Sequence, residues 1–495
     1  MTLMICFHNT LGGTFEEFHP IQPGEVKLYT CGPTVYDFPH IGNWRAYVFE
    51  DLLKRFLVFG GYRVTHIMNL TDVDDKTIRD SKARTVDELK RYTEKYIDAY
   101  MAERDVLNIL PADHYPRATE HIPEMVALIR ALLEKGFAYE KNGSVYFAID
   151  RFPAYGRLSK INLEDRRPGS RGDADEYAKE SVHDFALWKA AKEGEPFWDT
   201  QVGRGRPGWH IECSAMSKKY LGPTFDIHCG GVDNIFPHHE NEIAQSEAAN
   251  GVNFVNYWLH CHHLVVDGEK MSKSKGNFYV LGDILARGYD PREVRFLLLS
   301  THYRKMLNFT FEALDQARAG RNRIRDFLVD LRGVKRAGAV GPEVAASIET
   351  ARAEFIAGLE DDLNISESLA ALFRLIERAN SLAGKEELSR ASADALRAFV
   401  EDLDEKVLKI EPTSVMVRPN PLTLTSTPVS PAVKVDVSGE LDESIQKRVD
   451  ERQRARAEKN FKLADEIRKE LLAQGILLED TKDGVRWKRV PVSKS

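Results

Sequence analysis

The sequence predicts a parallel α/β nucleotide-binding fold, interrupted by an insertion and followed by an α-helical bundle and a small C-terminal α+β unit. Three observations predict it. A strand-loop-helix-strand signature opens the chain, a loop carrying two spaced lysines lies far downstream at the other end of the same α/β pattern, and beyond Asn308 the periodicity becomes purely helical. At 495 residues there is room for several domains with substantial cores. A formal net charge of −7 means that a polyanionic partner has to meet a local basic patch on an acidic body. The five cysteines (Cys6, Cys31, Cys213, Cys229 and Cys261) are scattered and odd in number, unlike a secreted disulfide framework. No charged-then-apolar leader opens the chain, and no run approaches the roughly 18 apolar residues of a membrane span. The expectation is a soluble cytoplasmic protein.

The first element is the alternating run Val26 to Cys31, a strand that ends in the turn Gly32-Pro33. After a short loop come His40-Ile41-Gly42-Asn43, and Val48, Phe49, Leu52, Leu53, Phe56 and Leu57 then mark one face of a helix that Gly60-Gly61 ends. Tyr62 to Leu70 reads as the next strand. Such a βαβ unit places ligands at its strand ends and at the helix N-terminus, where free N–H groups and the helix dipole favour phosphate. Gly42 permits close approach of a nucleotide base, and His40 offers a proton-bearing nitrogen to a phosphate whose charge grows during transfer; a plain helix cap is the alternative for this motif taken alone. Residues 1 to 25 form an opening segment without assigned chemistry. The cluster Thr71-Asp72-Val73-Asp74-Asp75-Lys76 suits either an amine, ribose or magnesium site or a helix cap.

From Pro111 to about Gly203 the α/β alternation breaks into a helix (Ile122 to Leu133), a strand (Ser144 to Ile149) and a polar loop (Arg166 to Glu180), as an insertion between two half-folds does. The second half opens at Arg204 and runs through Trp209, Cys213, His228, Cys229 and Asp233 to Phe236-Pro237-His238-His239-Glu240-Asn241-Glu242. His238 and Glu242 stand four apart at a helix start and project from one face. With Cys213 upstream and Cys31 at the end of the first strand they make a donor set of two thiolates, an imidazole and a carboxylate, suited to tetrahedral zinc. A capping or surface pair is the alternative for His238 and Glu242. Next, the strand-like run Leu259 to Val266 and the turn Asp267-Gly268 lead to Lys270-Met271-Ser272-Lys273-Ser274, whose two lysines can reach one polyphosphate, an ordinary basic loop being the alternative.

With both phosphate motifs at the two ends of one α/β domain, the chain resembles the class I aminoacyl-tRNA synthetases, Rossmann-like enzymes that activate an amino acid with ATP and Mg2+. Asn43 stands where that family's signature has His. The segments around Cys31, around Gly208-Trp209-His210-Ile211-Glu212-Cys213, around His238 and Glu242, and the lysine loop together resemble the cysteinyl-tRNA synthetases over nearly the whole chain. The resemblance implies that Cys31, Cys213, His238 and Glu242 hold one zinc ion at the floor of the amino-acid pocket. It also implies that Thr71, Trp209, His228 and Asp233 shape that pocket, that Trp209 closes over L-cysteine, and that His40, Gly42, Asn43, Lys270 and Lys273 bind ATP. His40, Lys270 and Lys273 are then the catalytic groups. The substrate sulfur enters the zinc site as a fifth ligand or displaces a weak one, with Glu242 the first to yield. Cys229 stands where a glycine is expected and is either a competing ligand or a small buried residue pointing away; Cys6 and Cys261 read as core.

Beyond Asn308, residues 312 to 410 read as a bundle, with Leu369, Leu372, Leu375, Ile376 and Ala379 as its stripe. Glu360-Asp361-Asp362-Leu363-Asn364 resembles an acidic signature of the same family. Residues 411 to 440 are rich in Pro, Ser, Thr and Val and read as a semi-rigid linker. In residues 441 to 495, a charged helix or helix pair (Ile445 to Leu472, with Arg448, Arg452, Arg454, Arg456, Lys459 and Lys462) precedes two strands turned at Asp483-Gly484. Arg486, Trp487, Lys488 and Arg489 set an aromatic ring among cations, which suits a splayed RNA base; a salt-laced surface is the alternative. The Arg166 to Arg171 run is a further candidate for contact with the tRNA acceptor end. The expected domains are 1–110 and 204–311 (two halves of the catalytic domain), 111–203 (connective insertion), 312–410 (bundle), 411–440 (linker) and 441–495 (anticodon-binding domain). The expected protein is a monomer acting on tRNA(Cys). A cysteine ligase acting on a small amine, and a non-catalytic tRNA-binding protein with a structural zinc, are the alternatives.

Overall fold

The computed structural model describes residues 3–161, 184–384 and 387–411, and in the C-terminal part residues 448–449, 451–452, 454–455, 460–473, 476–481 and 484–489. The chain divides into two units, residues 1–418 and 419–495.

At the centre of the first unit lies a four-stranded parallel sheet. β1 (Glu25–Thr30) leads into α1 (Ile41–Phe59) and back to β2 (Arg63–Met68). In the second half α2 (Trp209–Leu221) precedes β3 (Phe225–Gly231), which leads through α3 (Glu240–Asn250) to β4 (Val255–Cys261). The strand order is β4-β3-β1-β2. β1 and β3, one from each half, are therefore neighbours whose connections leave in opposite directions, and the crevice beyond their carboxyl ends is where such sheets take ligands. Ile227 pairs with Leu28 and Cys229 with Thr30, and the Cys31 N–H donates to the Cys229 carbonyl at 3.1 Å, so the two strand ends meet side by side. Val26, Leu28, Ile227 and Leu259 on one face of the sheet and Tyr29, Ile67 and Trp258 on the other are buried, as both-face coverage by helices requires. The expected apolar face of α1 is buried from Val48 to Leu57.

The run Leu259 to Val266 is not one strand. β4 stops at Cys261, the His262 N–H turns away to donate to the Tyr303 carbonyl at 2.8 Å, and Leu264–Val266 pairs instead with Leu307–Phe309. The insertion holds the helix Ile122–Glu134 and a five-stranded antiparallel sheet built from Ala138–Lys141, Ser144–Phe147, Phe185–Ala190, Gly203–Pro207 and Trp198–Thr200. Sequence reading found one of these strands. Gly203–Pro207 has no apolar alternation to announce it; its Gly205 packs so tightly that a Cβ there would lie 2.1 Å from the Lys189 carbonyl oxygen. The Arg166 to Arg171 run and the polar loop around it lie outside the described residues.

α4 (Pro291–Ser300) and the bundle helices α5 (Phe311–Arg332), α6 (Pro342–Glu360), α7 (Ile365–Gly384) and α8 (Arg390–Leu403) complete the unit. The stripe from Leu369 to Ala379 is buried in one core cluster with α1. Arg295 of α4 has no exposed side chain and donates to Asp51 of α1 at 2.5 Å and to the Leu408 carbonyl at 2.7 Å, tying the sheet's first helix to the end of the bundle.

In the second unit a helix (Phe461–Ala473) precedes two antiparallel strands, Ile476–Thr481 and Gly484–Arg489, with Leu478 opposite Trp487. Arg448 is paired with Glu451 at 2.6 Å and with Glu470, so one of the expected cations is used within the unit, and Arg452 is buried. Arg456, Lys459, Asp483 and linker residues 412–440 lie outside the described residues. Among the described residues no helix is long and apolar enough to cross a membrane.

Candidate active site

His40 starts α1 by capping it. Its Nδ1 accepts the N–H groups of Gly42 at 3.1 Å and Asn43 at 3.3 Å, while the Asn43 side-chain oxygen accepts the His40 N–H at 3.1 Å. This reciprocal box satisfies orphan donors of the first turn, and it also settles the imidazole's chemistry. A neutral ring that accepts at Nδ1 carries its proton on Nε2. Burial, and then Lys273, lower the His40 pKa against the opposing pull of Asp37. At neutral pH His40 is thus an uncharged N–H donor at the positive end of a helix.

The lysine loop folds over this corner. A Cβ on Gly42 would lie 2.8 Å from Met271 Cε and 3.0 Å from the His40 ring, so the glycine makes room for protein before any base arrives. The Ile41 N–H donates to the Tyr279 carbonyl at 2.9 Å, and the Ser272 N–H to Asn277 Oδ1 at 2.8 Å. Lys273 pairs with Asp37 and stands 5.1 Å from the ring of Phe278, which packs edge-on against His40 at 5.3 Å. Lys270 is exposed.

The second half of the site is a buried cluster. Cys31, Cys213, His238 and Glu242 each offer a ligand atom, all within 4.8 Å of one another. They come from the end of β1, the second turn of α2, the turn before α3 and the first turn of α3. His238 Nε2 and Glu242 Oε1 lie 3.1 Å apart, yet Glu242 Oε1 makes no hydrogen bond. Closeness without hydrogen-bond geometry is how two ligands of one ion are disposed. Burial pushes both thiols up, raises the Glu242 carboxyl to about 7 and lowers the His238 imidazole to about 3. A divalent cation offsets these costs, because it favours thiolate, carboxylate and neutral imidazole alike. The donor set fits a metal of tetrahedral preference.

Histidines surround the cluster. His228 Nε2 lies 3.1 Å from Glu242 Oε2, His239 Nε2 lies 3.2 Å from the Cys31 sulfur, and His210 Nδ1 lies 3.0 Å from His238 Nδ1. His239 Nδ1 continues to His260 Nε2 at 2.8 Å. Cys31, His228, His239 and Glu242 make a second set of atoms within 4.8 Å. His228, expected as a pocket wall, is wholly buried behind Glu242 and stacks on Trp258 at 4.7 Å, a place from which it orients the carboxylate. Sequence reading missed His210, His239 and His260. The signal was available, since seven of the fifteen histidines fall between positions 210 and 263.

Cys229 is the small buried residue and not a ligand: strand alternation puts it on the face of β3 opposite His228, in the core cluster that α1 covers, and it belongs to neither ligand set. Trp209, 39% exposed, stacks on His238 with ring centroids 4.2 Å apart and so stands at the mouth of the cluster. Thr71 is buried and zips up the loop that follows Cys31. Its N–H donates to the Pro33 carbonyl at 3.1 Å, its carbonyl accepts the Val35 N–H at 3.0 Å, and its hydroxyl oxygen accepts from Asn69 at 3.1 Å. Asn69 also accepts the Gly32 N–H at 3.0 Å, and a Cβ on Gly32 would lie 1.8 Å from the Asn69 carbonyl oxygen. Asp233 lies outside the buried cluster, exposed and 3.3 Å from His263. The acidic cluster after β2 is structural in its contacts. Asp72 accepts from Thr119 at 2.6 and 2.9 Å, Asp74 caps the helix Asp75–Ser81, and Asp75 binds Lys189 at 2.8 Å and Arg206.

Family comparison agrees with this geometry. Residues 17–319 match the model of the tRNA synthetases class I (C) catalytic domain, residues 354–410 the DALR domain, and residues 438–487 the cysteinyl-tRNA ligase anticodon binding domain. The cysteine–tRNA ligase of Brachyspira hyodysenteriae is 45% identical over 491 residues, covering 98% of this chain and 99% of that one. The chain belongs to the class I cysteine–tRNA ligase family. The cysteine–tRNA ligase of Chlamydia muridarum is 46% identical over 499 residues, 98% of this chain and all of its own. Among solved structures, methionyl-tRNA synthetase of Mycobacterium tuberculosis in complex with methionyl-adenylate shares the fold at a TM-score of 0.58 and 17% identity, over 78% of this chain and 92% of that one. The protein is an enzyme, a ligase of the cysteine–tRNA ligase family, and the lysine loop, capped helix and thiol cluster described above all lie within the residues that match the catalytic domain.

Proposed function

We propose that the chain condenses L-cysteine with ATP to cysteinyl-adenylate, releases pyrophosphate and passes the cysteinyl group to the terminal ribose of tRNA(Cys), with Cys31, Cys213, His238 and Glu242 holding one zinc ion. The observation that supports this most is the meeting of those four donors at the carboxyl ends of β1 and β3, the same crevice onto which the His40-capped helix opens. Zinc held there supplies a borderline-soft Lewis acid that prefers the thiol of cysteine, as thiolate, to the far less acidic alcohol of serine.

The chain's own groups do the rest. His40 donates from Nε2 to phosphate oxygen, and Lys270 and Lys273 neutralise the triphosphate, which Mg2+ accompanies. Attack of a carboxylate on the α-phosphate needs no protein nucleophile, so catalysis is positioning and charge stabilisation. Thr71, Trp209 and Asp233 serve the amino-acid site, and His228 holds Glu242. Gly42 admits the lysine loop and Asn43 keeps His40 in its donor tautomer. The protein works as a cytoplasmic monomer, residues 1–110 and 204–311 forming the catalytic domain around the 111–203 insertion, and residues 441–495 reading the anticodon.

The test is exchange of labelled pyrophosphate into ATP. Exchange that requires cysteine, ignores serine, disappears on chelation and returns with zinc is the expected result. Equal exchange by the chelated protein removes the metal from this reading, and exchange with no amino acid at all removes the activity.

A further inference from the structure

We propose that Asp362, in the turn between α6 and α7, is a positioning residue for adenylate formation: it clamps the segment on which the Lys270 to Ser274 loop is mounted, so that the bundle sets where Lys270 and Lys273 stand. The inference rests on the reading of that loop as the grip on the ATP phosphates.

Asp362 belongs to the acidic run Glu360 to Asn364, for which the sequence offers no role. Its backbone is left-handed, with φ +55°, and Leu363 follows at +56°. Residues with a Cβ resist that region, and the surroundings hold them there. The Asp362 N–H donates to the Cys6 carbonyl at 2.9 Å, and the Asn364 N–H to the Gly358 carbonyl at 2.8 Å. The carboxylate, 1% exposed, is ringed by donors. Oδ1 accepts the Tyr303 hydroxyl at 2.6 Å and the His8 N–H at 2.9 Å; Oδ2 accepts Arg304 Nε at 2.5 Å and lies 3.6 Å from His302 Nε2. One buried anion thus draws together the N-terminal segment at Cys6 and His8, the 302–304 segment and the bundle.

From that segment the contacts run on to the catalytic loop. The Tyr303 carbonyl accepts the His262 N–H at 2.8 Å, and the Leu307 N–H donates to the His263 carbonyl at 3.1 Å. Leu264, Val265 and Val266 pair with Leu307, Asn308 and Phe309. The Asp267 N–H then donates to the Phe309 carbonyl at 3.1 Å and the Gly268 N–H to Asn308 Oδ1 at 2.8 Å. Lys270 follows two residues on. On its other side the segment is held to α1: the Tyr303 ring stacks on Phe49 at 4.3 Å, and Arg45 donates to the Thr301 and His302 carbonyls at 2.7 and 2.9 Å. The segment therefore sits between the helix that His40 caps and the parallel strand pair that leads into the lysine loop. Asp362 fixes it to the bundle.

The experiment is a double-mutant cycle in the full chain, read by pyrophosphate exchange. Asp362→Ala is expected to slow exchange about ten-fold, through kcat and the KM for ATP, with the KM for cysteine and the zinc content unchanged. Tyr303→Phe, which removes one donor and keeps the ring, moves the same quantities about three-fold. In a Lys273→Ala background the effect of Asp362→Ala shrinks to about two-fold or less, because the grip it positions is gone. Unchanged exchange, full additivity with Lys273→Ala, or a loss confined to the transfer to tRNA overturns the proposal; should Asp362→Ala not fold, Tyr303→Phe decides by the same criteria. If Lys273→Ala itself leaves exchange unchanged, it is the reading of the loop that falls, an outcome distinct from the loss of the clamp alone.

Discussion

Lys273 is paired with Asp37, and the pair lies at the surface, where such contacts contribute little. A triphosphate offers the same ammonium more charge in a drier place. Replacing Lys273 by Ala is therefore expected to leave folding intact and to slow pyrophosphate exchange by roughly 10², with the melting temperature as control. A second residue tests burial against charge. Glu103 Oε2 accepts the Trp44 indole N–H at 2.9 Å, and burial first, then Asp283, raise its carboxyl to about 7 although the hydrogen bond lowers it. A carboxyl that ionises less readily folded than unfolded costs stability. The cost is absent below the unfolded value near 4.5, grows as pH rises to 7 and is complete above it. Glu103→Gln should accordingly stabilise the protein at pH 8 by up to about 3 kcal/mol and hardly at all near pH 4. Denaturant unfolding at both values checks this, and an equal gain at both would point to packing instead. At this scale the sequence was legible where donor types combine: Cys31, Cys213, His238 and Glu242 stand out as two soft thiols, a borderline imidazole and a hard carboxylate. Asp37 and His239 did not, since an exposed acid and a second histidine in a pair look ordinary until the fold brings them to Lys273 and Cys31.

At the scale of elements, α1 joins two functions in one residue. His40 both caps the helix and carries the donor proton, so its removal confounds stability with catalysis. Asn is a good N-cap that lacks the imidazole. His40→Asn is expected to stay within about 0.5 kcal/mol of the parent in stability and to lose roughly 10² in exchange rate; His40→Ala should lose both. Comparable losses of stability in the two variants would show that the imidazole's packing against Phe278 matters more than the cap. The periodicities of α1, β1 and α7 were readable because each buries a regular face. The strand Gly203–Pro207 of the insertion was not, because it is held by its neighbours' backbones and not by apolar side chains. The break after β4 was hidden too: Leu259 to Val266 contains no Gly or Pro to mark a turn, and only the bond from His262 to the Tyr303 carbonyl, made by residues some forty positions apart, divides it.

At the scale of the molecule the chemistry lies wholly in the first unit. The His40 corner, the lysine loop, the thiol cluster and the Asp362 clamp all fall within residues 1–418, while the stretch that matches an anticodon-binding domain, residues 438–487, lies in the other. Adenylate formation involves no tRNA, so deleting residues 441–495 is expected to leave cysteine-dependent pyrophosphate exchange at its full rate. Charging of tRNA should fall, because the chain then loses whatever recognition that unit supplies. The loss belongs in the KM for tRNA and less in kcat, since the truncation removes binding common to ground and transition states. Within the unit Trp487 stands in the strand Gly484–Arg489, flanked by Arg486, Lys488 and Arg489. If its ring stacks a base, Trp487→Ala alone costs about 1 to 3 kcal/mol of tRNA binding, and the cost persists at high salt, because stacking is not screened, whereas that of Lys488→Ala fades. Binding of labelled tRNA to the full-length variants at low and high salt separates the two. Equal charging efficiency by truncated and intact protein would leave the C-terminal unit without a part in tRNA recognition.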